Sequence, residues 1–80
     1  MILKIKNFTI LADFKINITF STNETLLVDL KNELYGEIFN PLKNPIFFNK
    51  AYLSETNVIE WPNEADFAPE FLYKIGKKAS

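Results

Sequence analysis

The stretch FKINITFSTNETLLVDL, residues 14–30, determines the fold. Between residues 14 and 21, apolar side chains occupy even positions and polar ones odd positions, as in a strand with one wet face. Thr22-Asn23-Glu24 is a polar tip, and asparagine tolerates the left-handed backbone of tight hairpins. The chain then returns with apolar residues at 26, 28 and 30. This pattern predicts a β-hairpin from Phe14 to Leu30.

The flanking segments are less regular. Residues 3–6 alternate between apolar side chains and lysine, which predicts a first strand that Ala12-Asp13 connects to the hairpin. Glycine and proline interrupt residues 31–50 too closely for a long helix. We expect one or two helical turns there, the clearer beginning near Pro45 with Asn44 as its N-cap.

A second hairpin is predicted from residues 51–54 and 58–61, with Pro62 ending its second strand because proline has no amide proton to donate. A C-terminal helix is predicted over 69–75. Proline suits its first position, Phe67 and Leu72 form a hydrophobic staple, and Gly76 is a natural stop.

These elements predict an α+β fold in a single domain spanning residues 1–80. We expect a mostly antiparallel sheet of about five strands, made of two hairpins plus an N-terminal strand, with short helices on one side. Residues 77–80 are expected to be a frayed tail.

Composition excludes several classes of function. The chain has no cysteine and no histidine, so thiolate and imidazole metal sites and Cys or His nucleophiles are absent. We therefore expect no enzyme activity and no cofactor. Nine lysines face ten acids without a single arginine, which argues against direct nucleic-acid binding. No window is apolar enough for a membrane span or a signal peptide, so we expect a cytoplasmic protein without membrane contact.

The aromatic residues of the irregular middle segment are the first functional candidates. Twelve aromatics in 80 residues are many for one small core. Either these aromatic residues fill the core, or some of them are exposed and form a patch that binds a protein partner or a second copy of the chain. The candidate interaction surface comprises Tyr35, Phe39, Phe47, Phe48 and Tyr52.

A second candidate is a ligand groove formed by Trp61, Asn63 and Asp66 at the end of a strand. The alternative interpretation is structural: Trp61 anchors the core, and Asp66 accepts backbone hydrogen bonds that brace the turn before the helix. The nearby carboxylates of residues 60, 64, 66 and 70 match no calcium-binding loop, which favours a solvated acidic surface. Asp29 is expected to cap the end of its strand.

The chain resembles bacterial proteins of the domain of unknown function 2442 (DUF2442) family over nearly its whole length. The resemblance rests on segments 16–20, 28–30, 39–45 with Phe48, 59–63, 65–66 and 69–73 in this order. The chain departs from the family pattern at two turns. Asn23-Glu24 stands in place of an Asp-Gly type turn, and Glu64 in place of a glycine.

The resemblance implies a small α+β domain of bacterial or phage origin. Some relatives are encoded beside another small protein, in an arrangement similar to a toxin–antitoxin pair. Others carry a helix-turn-helix domain after this one; the chain ends at Ser80, so we do not expect it to share that DNA-binding role. The leading hypothesis is a non-catalytic protein–protein interaction domain, antitoxin-like, that binds a small protein from a neighbouring gene. The second is a small-ligand binding domain with its groove near Trp61.

Overall fold

The predicted central hairpin forms the middle of the main sheet. The computed structural model describes residues 2–78. Strands β2 (Lys15–Phe20) and β3 (Thr25–Asp29) pair antiparallel, with Ile16 opposite Val28 and Ile18 opposite Leu26. The apolar face of both strands is buried, as the period-2 pattern requires, and the alternate face is polar except for the half-buried Leu27.

Strand β1 (Ile5–Ile10) pairs antiparallel with β2 on one side of this hairpin. It begins later and runs further than residues 3–6, which were predicted as a strand. The register shifts between Ile5 and Asn7, where β1 carries an extra residue. This bulge leaves both Lys6 and Asn7 exposed and breaks the alternation that sequence patterns depend on.

The chain makes two separate sheets. The four-stranded sheet has the order β1-β2-β3-β6, and its last strand is β6 (Lys77–Lys78). Strands β4 (Tyr52–Leu53) and β5 (Ile59–Glu60) form a second, two-stranded sheet. The α+β class and both predicted hairpins are confirmed, whereas the sheet of about five strands is divided between these two.

The predicted frayed tail is wrong for Lys77 and Lys78. Both residues pair antiparallel with the edge of β3, opposite Leu27 and Leu26. This pairing satisfies backbone groups that an open strand edge would leave exposed. The last two residues of the predicted tail, 79 and 80, lie outside the described residues.

Short helices connect and cover the sheets. Two 3₁₀ helices, Lys31–Glu33 and Glu37–Lys43, follow β3, and α1 (Pro45–Phe48) comes directly after them. The Asp29 carboxylate accepts a hydrogen bond from the Lys31 amide at 3.0 Å, which confirms the expected cap. The Asn44 side chain likewise accepts from the Ile46 amide at 2.9 Å and caps α1.

Helix α2 (Pro69–Ile75) packs against β3 and confirms the predicted C-terminal helix. Phe67 and Leu72 are both buried at its start, in agreement with the predicted staple. The Tyr73 hydroxyl donates to the Glu24 carboxylate, which joins α2 to the β2–β3 turn. This hydrogen bond lowers the pKa of Glu24 and raises the pKa of Tyr73.

Gly76 ends α2 for a reason other than the one predicted. Its φ is −69° and its ψ is 150°, so it does not adopt the left-handed conformation of a glycine cap. A Cβ at this position would instead lie 2.9 Å from Leu26 Cβ and 3.1 Å from the Leu72 carbonyl oxygen. Glycine is therefore needed because the chain passes so close to β3.

Three of the turns share one geometry. Each is a three-residue loop whose last residue donates its amide to the carbonyl of the residue before the loop. That last residue is left-handed, with φ of 72° at Asn23, 63° at Asn57 and 70° at Glu64. This is a type I turn followed by a left-handed residue, a common hairpin connection. Asparagine adopts it readily, whereas glutamate does not.

Candidate interaction groove

Trp61 is a core anchor and does not line a groove. Its side chain is fully buried, with 0% exposure. The indole Nε1 donates to the Phe48 carbonyl at 2.8 Å, and the indole lies 5.5 Å from the Phe48 ring and 6.0 Å from the Phe67 ring. The predicted ligand groove at Trp61 is therefore wrong, and the structural alternative for this residue is confirmed. A large aromatic residue in so small a domain contributes more by burial than by exposure.

Asn63 fastens two segments of the chain together. Its Oδ1 accepts from the Ala65 amide at 3.2 Å, and its Nδ2 donates to the Ile38 carbonyl at 2.8 Å. The turn after β5 is thereby joined to the second 3₁₀ helix. The bracing that the sequence interpretation assigned to the Asp66 carboxylate is supplied here by Asn63.

A groove lined by aromatic rings lies where this 3₁₀ helix meets the start of α2. The Phe39 and Phe67 rings stack with centroids 4.6 Å apart and planes 18° apart. Phe67 and Phe71 continue the stack at 5.8 Å and 15°. Phe39 and Phe71 are half-buried, so the stack joins the core to the surface. We call this concavity, with its lining residues Glu33, Tyr35, Phe39, Asp66, Phe67, Ala68 and Phe71, the aromatic groove.

The rim of the aromatic groove combines an exposed ring with two carboxylates. Tyr35 is 72% exposed, and Glu33 and Asp66 supply the carboxylates. Asp66 is held in place by its backbone, which forms an isolated antiparallel bridge with Glu60. The groove has a volume of about 210 Å³. It can accept one flat or extended side chain against parallel rings, close to negative charge.

The predicted interaction surface divides into three parts. Tyr35 and Phe39 line the aromatic groove, whereas Phe48 is buried in the core. Phe47 is half-buried against the core, and Tyr52 is 45% exposed on β4. Desolvation, followed by the hydrogen bond that the Tyr52 hydroxyl donates to Glu60 at 3.2 Å, raises the pKa of Tyr52. The five residues therefore do not form one patch.

Two aromatic residues of the groove were not among the predicted site residues. Phe67 precedes the N-cap of α2, Phe71 lies in the first turn of the helix, and the predicted staple brings Phe67 onto that turn. A staple fits a purely buried contact equally well. The sequence therefore indicated their proximity but not their contact with Phe39, which comes from a segment almost thirty residues earlier.

A second concavity lies between the β1–β2 connection and α1. It has a volume of about 290 Å³ and is lined by residues 11–14, Pro45, Phe48 and Asn49. The Asp13 carboxylate is already paired there, 3.3 Å from Lys31 Nζ and 3.4 Å from Lys15 Nζ. These lysines lower the pKa of Asp13, with the Lys31 hydrogen bond the larger cause. This carboxylate is paired within the chain, whereas among residues 2–78 neither Glu33 nor Asp66 of the aromatic groove belongs to an ion pair.

Within residues 2–78, no helix is long and apolar enough to cross a membrane. The same residues contain no cluster of three or more acidic side chains arranged to hold a metal ion.

Comparison with known protein families identifies the family to which the chain belongs. The family described as "Protein of unknown function (DUF2442)" matches residues 5–78, nearly the whole chain. The chain belongs to the DUF2442 family. A comparison with curated proteins found no match.

A solved structure shares the fold of this DUF2442 chain. It is the crystal structure of the "Putative DNA Binding Protein" from Nitrosomonas europaea, which matches with a TM-score of 0.79 and 24% sequence identity. The match covers 94% of this chain and 49% of the Nitrosomonas chain, so this chain spans about half the length of that protein. At this level of identity the likeness shows the fold alone.

This DUF2442 chain keeps the turn geometry at the two positions where it departs from the family pattern. Glu24, which stands at the glycine of the family's Asp-Gly pair, is outside the left-handed region, and Asn23 before it adopts the left-handed conformation in the β2–β3 turn. Glu64 does the same after β5, where its side chain is exposed. The turn that positions Asn63 and Asp66 at the aromatic groove therefore contains an unfavourable backbone conformation.

Proposed function

We propose that this chain is a non-catalytic protein–protein interaction domain that binds its partner through the aromatic groove. In this proposal it acts in the cytoplasm as the antitoxin-like partner of a small protein encoded by a neighbouring gene. The observation that carries the proposal is the stack of Phe39, Phe67 and Phe71, which opens to solvent beside the exposed Tyr35 ring.

The arrangement of rings supports binding of a protein side chain. Residues that dominate protein interfaces are enriched in aromatics and lie in well-packed pockets. Phe67 is fixed by its contact with Trp61, and Phe39 is fixed by its contact with Phe67. A partner would thus meet a surface that is already ordered, so little conformational entropy is lost on binding.

The size of the groove favours this function over metabolite binding. Small-molecule pockets usually measure about 300–1,000 Å³. The aromatic groove measures about 210 Å³, and Trp61 is too deeply buried to contribute to it. One side chain from a protein fits the available space better than a whole metabolite does.

The charge of the chain argues against direct DNA contact by this domain. Its formal net charge is −1, with no arginine, and the groove carries two carboxylates. Phosphate groups would be repelled there, since DNA binding depends on neutralising them with Lys and Arg. The description of the Nitrosomonas protein makes DNA the competing candidate that the experiment has to include.

Co-expression of the tagged chain with the product of the neighbouring gene tests the proposal. Complex formation is measured by affinity purification followed by light scattering, and DNA binding by fluorescence anisotropy with a labelled duplex. Tyr35→Ala should weaken the complex, because Tyr35 lines the groove. Tyr52→Ala is the matched control, an exposed tyrosine on β4 that does not line the groove.

A complex that is lost with Tyr35→Ala and kept with Tyr52→Ala supports the proposal. A wild-type chain that stays monomeric beside the co-expressed protein contradicts it. Salt-sensitive binding to the duplex without any protein complex would replace it with the DNA-binding alternative.

A further inference from the structure

We infer that the aromatic groove binds an arginine side chain presented by an apolar segment of the partner protein. This inference rests on the proposed function, because it names the chemistry that the same groove recognises. Two independent features of the groove lead to it: the parallel rings and the placement of the two carboxylates.

The ring stack matches the shape of a guanidinium group. The planes of Phe39, Phe67 and Phe71 lie within 18° and 15° of their neighbours, and because Phe67 is buried between the other two, the exposed surface of the stack belongs to the half-buried Phe39 and Phe71 rings. A planar guanidinium stacks on aromatic faces and is more weakly hydrated than an ammonium group. Tyr35, the most exposed ring of the groove, stands at the rim and can cover the guest from the other side.

The two carboxylates supply charge complementarity. Within residues 2–78, the ion pairs are those of Asp13 with Lys15 and Lys31, and neither Glu33 nor Asp66 belongs to one. Both residues line the groove, Glu33 from the first 3₁₀ helix and Asp66 from the segment between β5 and α2. They can accept the several N–H donors of a guanidinium while its plane rests on the rings.

The occupant is a different protein and not a second copy of this chain. The chain contains nine lysines and no arginine, so a copy of itself cannot supply the guanidinium. A lysine ammonium is a compact, strongly hydrated point charge and lacks the flat surface that the ring wall favours. The flanking residues of the partner segment are apolar, because the groove also exposes Ala68 and the edges of the rings.

A peptide titration of the full chain tests this inference apart from the proposed function. The probes are acetylated, amidated pentapeptides of sequence Gly-Leu-X-Leu-Gly, in which X is arginine, lysine or citrulline. Citrulline keeps the shape of arginine without its charge. Binding is followed by NMR chemical shifts of the Phe39, Phe67 and Phe71 rings, up to about 10 mM peptide, where even a weak complex forms to a measurable extent.

The arginine peptide should shift these ring resonances, with a weaker effect at high salt. The lysine and citrulline peptides should bind more weakly. The double variant Glu33→Gln with Asp66→Asn should weaken arginine binding about tenfold, as expected for two exposed ion pairs. Glu55→Gln is the matched control, because Glu55 lies in the β4–β5 loop and does not line the groove.

Each other outcome overturns the inference. Equal binding of the arginine and citrulline peptides would show an apolar site that does not recognise charge. Equal binding of the lysine and arginine peptides would show that the groove does not distinguish a guanidinium from an ammonium group. No shift with any peptide would also refute it, whatever the co-expression result. Ring shifts that appear on raising the protein concentration alone would assign the groove to a second copy. Unchanged Trp61 fluorescence of the variants shows that they remain folded, since Trp61 contacts Phe67 in the core.

Discussion

Replacing Glu64 with glycine should stabilise the domain. Glu64 has a φ of 70°, in the left-handed region that costs a residue with a Cβ about 1–2 kcal/mol. Glycine removes this cost but adds about 0.5–1 kcal/mol of unfolded-chain entropy. The difference is a gain of about 0.5–1 kcal/mol. The turn hydrogen bond from the residue 64 amide to the Trp61 carbonyl, 2.9 Å in the structure, is available to both residues.

Urea and thermal unfolding, followed by the fluorescence of the single tryptophan, measure this gain. For a domain of this size the melting temperature should rise by about 2–8 °C. Glu55→Gly is the opposite control. Glu55 begins the equivalent β4–β5 loop and is outside the left-handed region, so glycine there should destabilise by about 0.5–1 kcal/mol.

Glu64→Ala separates the backbone effect from the charge effect. Glu64 lies near other acids in the sequence, at 60, 66 and 70, so loss of a repelling charge is a competing explanation. Alanine removes the charge and retains the Cβ. If Glu64→Ala is as stable as Glu64→Gly, the backbone argument is refuted and the gain belongs to electrostatics.

Three further substitutions test the packing and pH dependence of the fold. Trp61→Phe removes buried volume and the indole donor, and it leaves the Phe48 carbonyl with only the long 3.4 Å bond from the Ala51 amide, so unfolding followed by circular dichroism should show a loss of about 2–4 kcal/mol. Gly76→Ala should cost about 1–3 kcal/mol in the same assay, because the new methyl group meets Leu26 at 2.9 Å. Tyr73→Phe should flatten the pH profile at both ends. The pKa of Glu24 is lowered from 4.5, so this carboxylate stabilises the fold above about pH 4.5, and the contribution is lost as the pH falls further. The pKa of Tyr73 is raised from 10.0, so this hydroxyl stabilises the fold below about pH 10, and the contribution is lost as the pH rises further. A Tyr73→Phe stability profile parallel to the wild type from pH 3 to 11 would contradict this linkage.

The strands that were predicted correctly have local sequence signals. Residues 15–20 and 25–29 each keep one apolar face, and a one-residue slip would expose that face, so the pattern alone fixes the register. Helix α2 was also predicted because its signals lie within a few residues: a proline at its start and the staple of Phe67 and Leu72. In each case short-range chemistry decides the structure.

The parts that were mispredicted depend on contacts distant in sequence. Lys77 and Lys78 carry no strand signal, and their pairing arises because α2 packs on β3 and Gly76 passes close to Leu26. The bulge in β1 hides its alternation, and it is visible only when β2 is beside it. The choice between the two interpretations of Trp61 likewise depends on a distant contact, the hydrogen bond from its indole to a carbonyl thirteen residues away.

The aromatic groove illustrates why the candidate site was harder to predict than the fold. Tyr35 and Phe39 come from one segment and Asp66 from another, and all three line the same groove. They were predicted to belong to two separate sites because nothing in the sequence joins the segments. The joining contact is the Asn63 side chain, which bonds to the Ile38 carbonyl and brings the second 3₁₀ helix against the turn. Asn63→Ala should therefore loosen the groove more than the core. Arginine-peptide binding is expected to fall while Trp61 stays buried, and an equal loss of both would show that Asn63 only stabilises the fold.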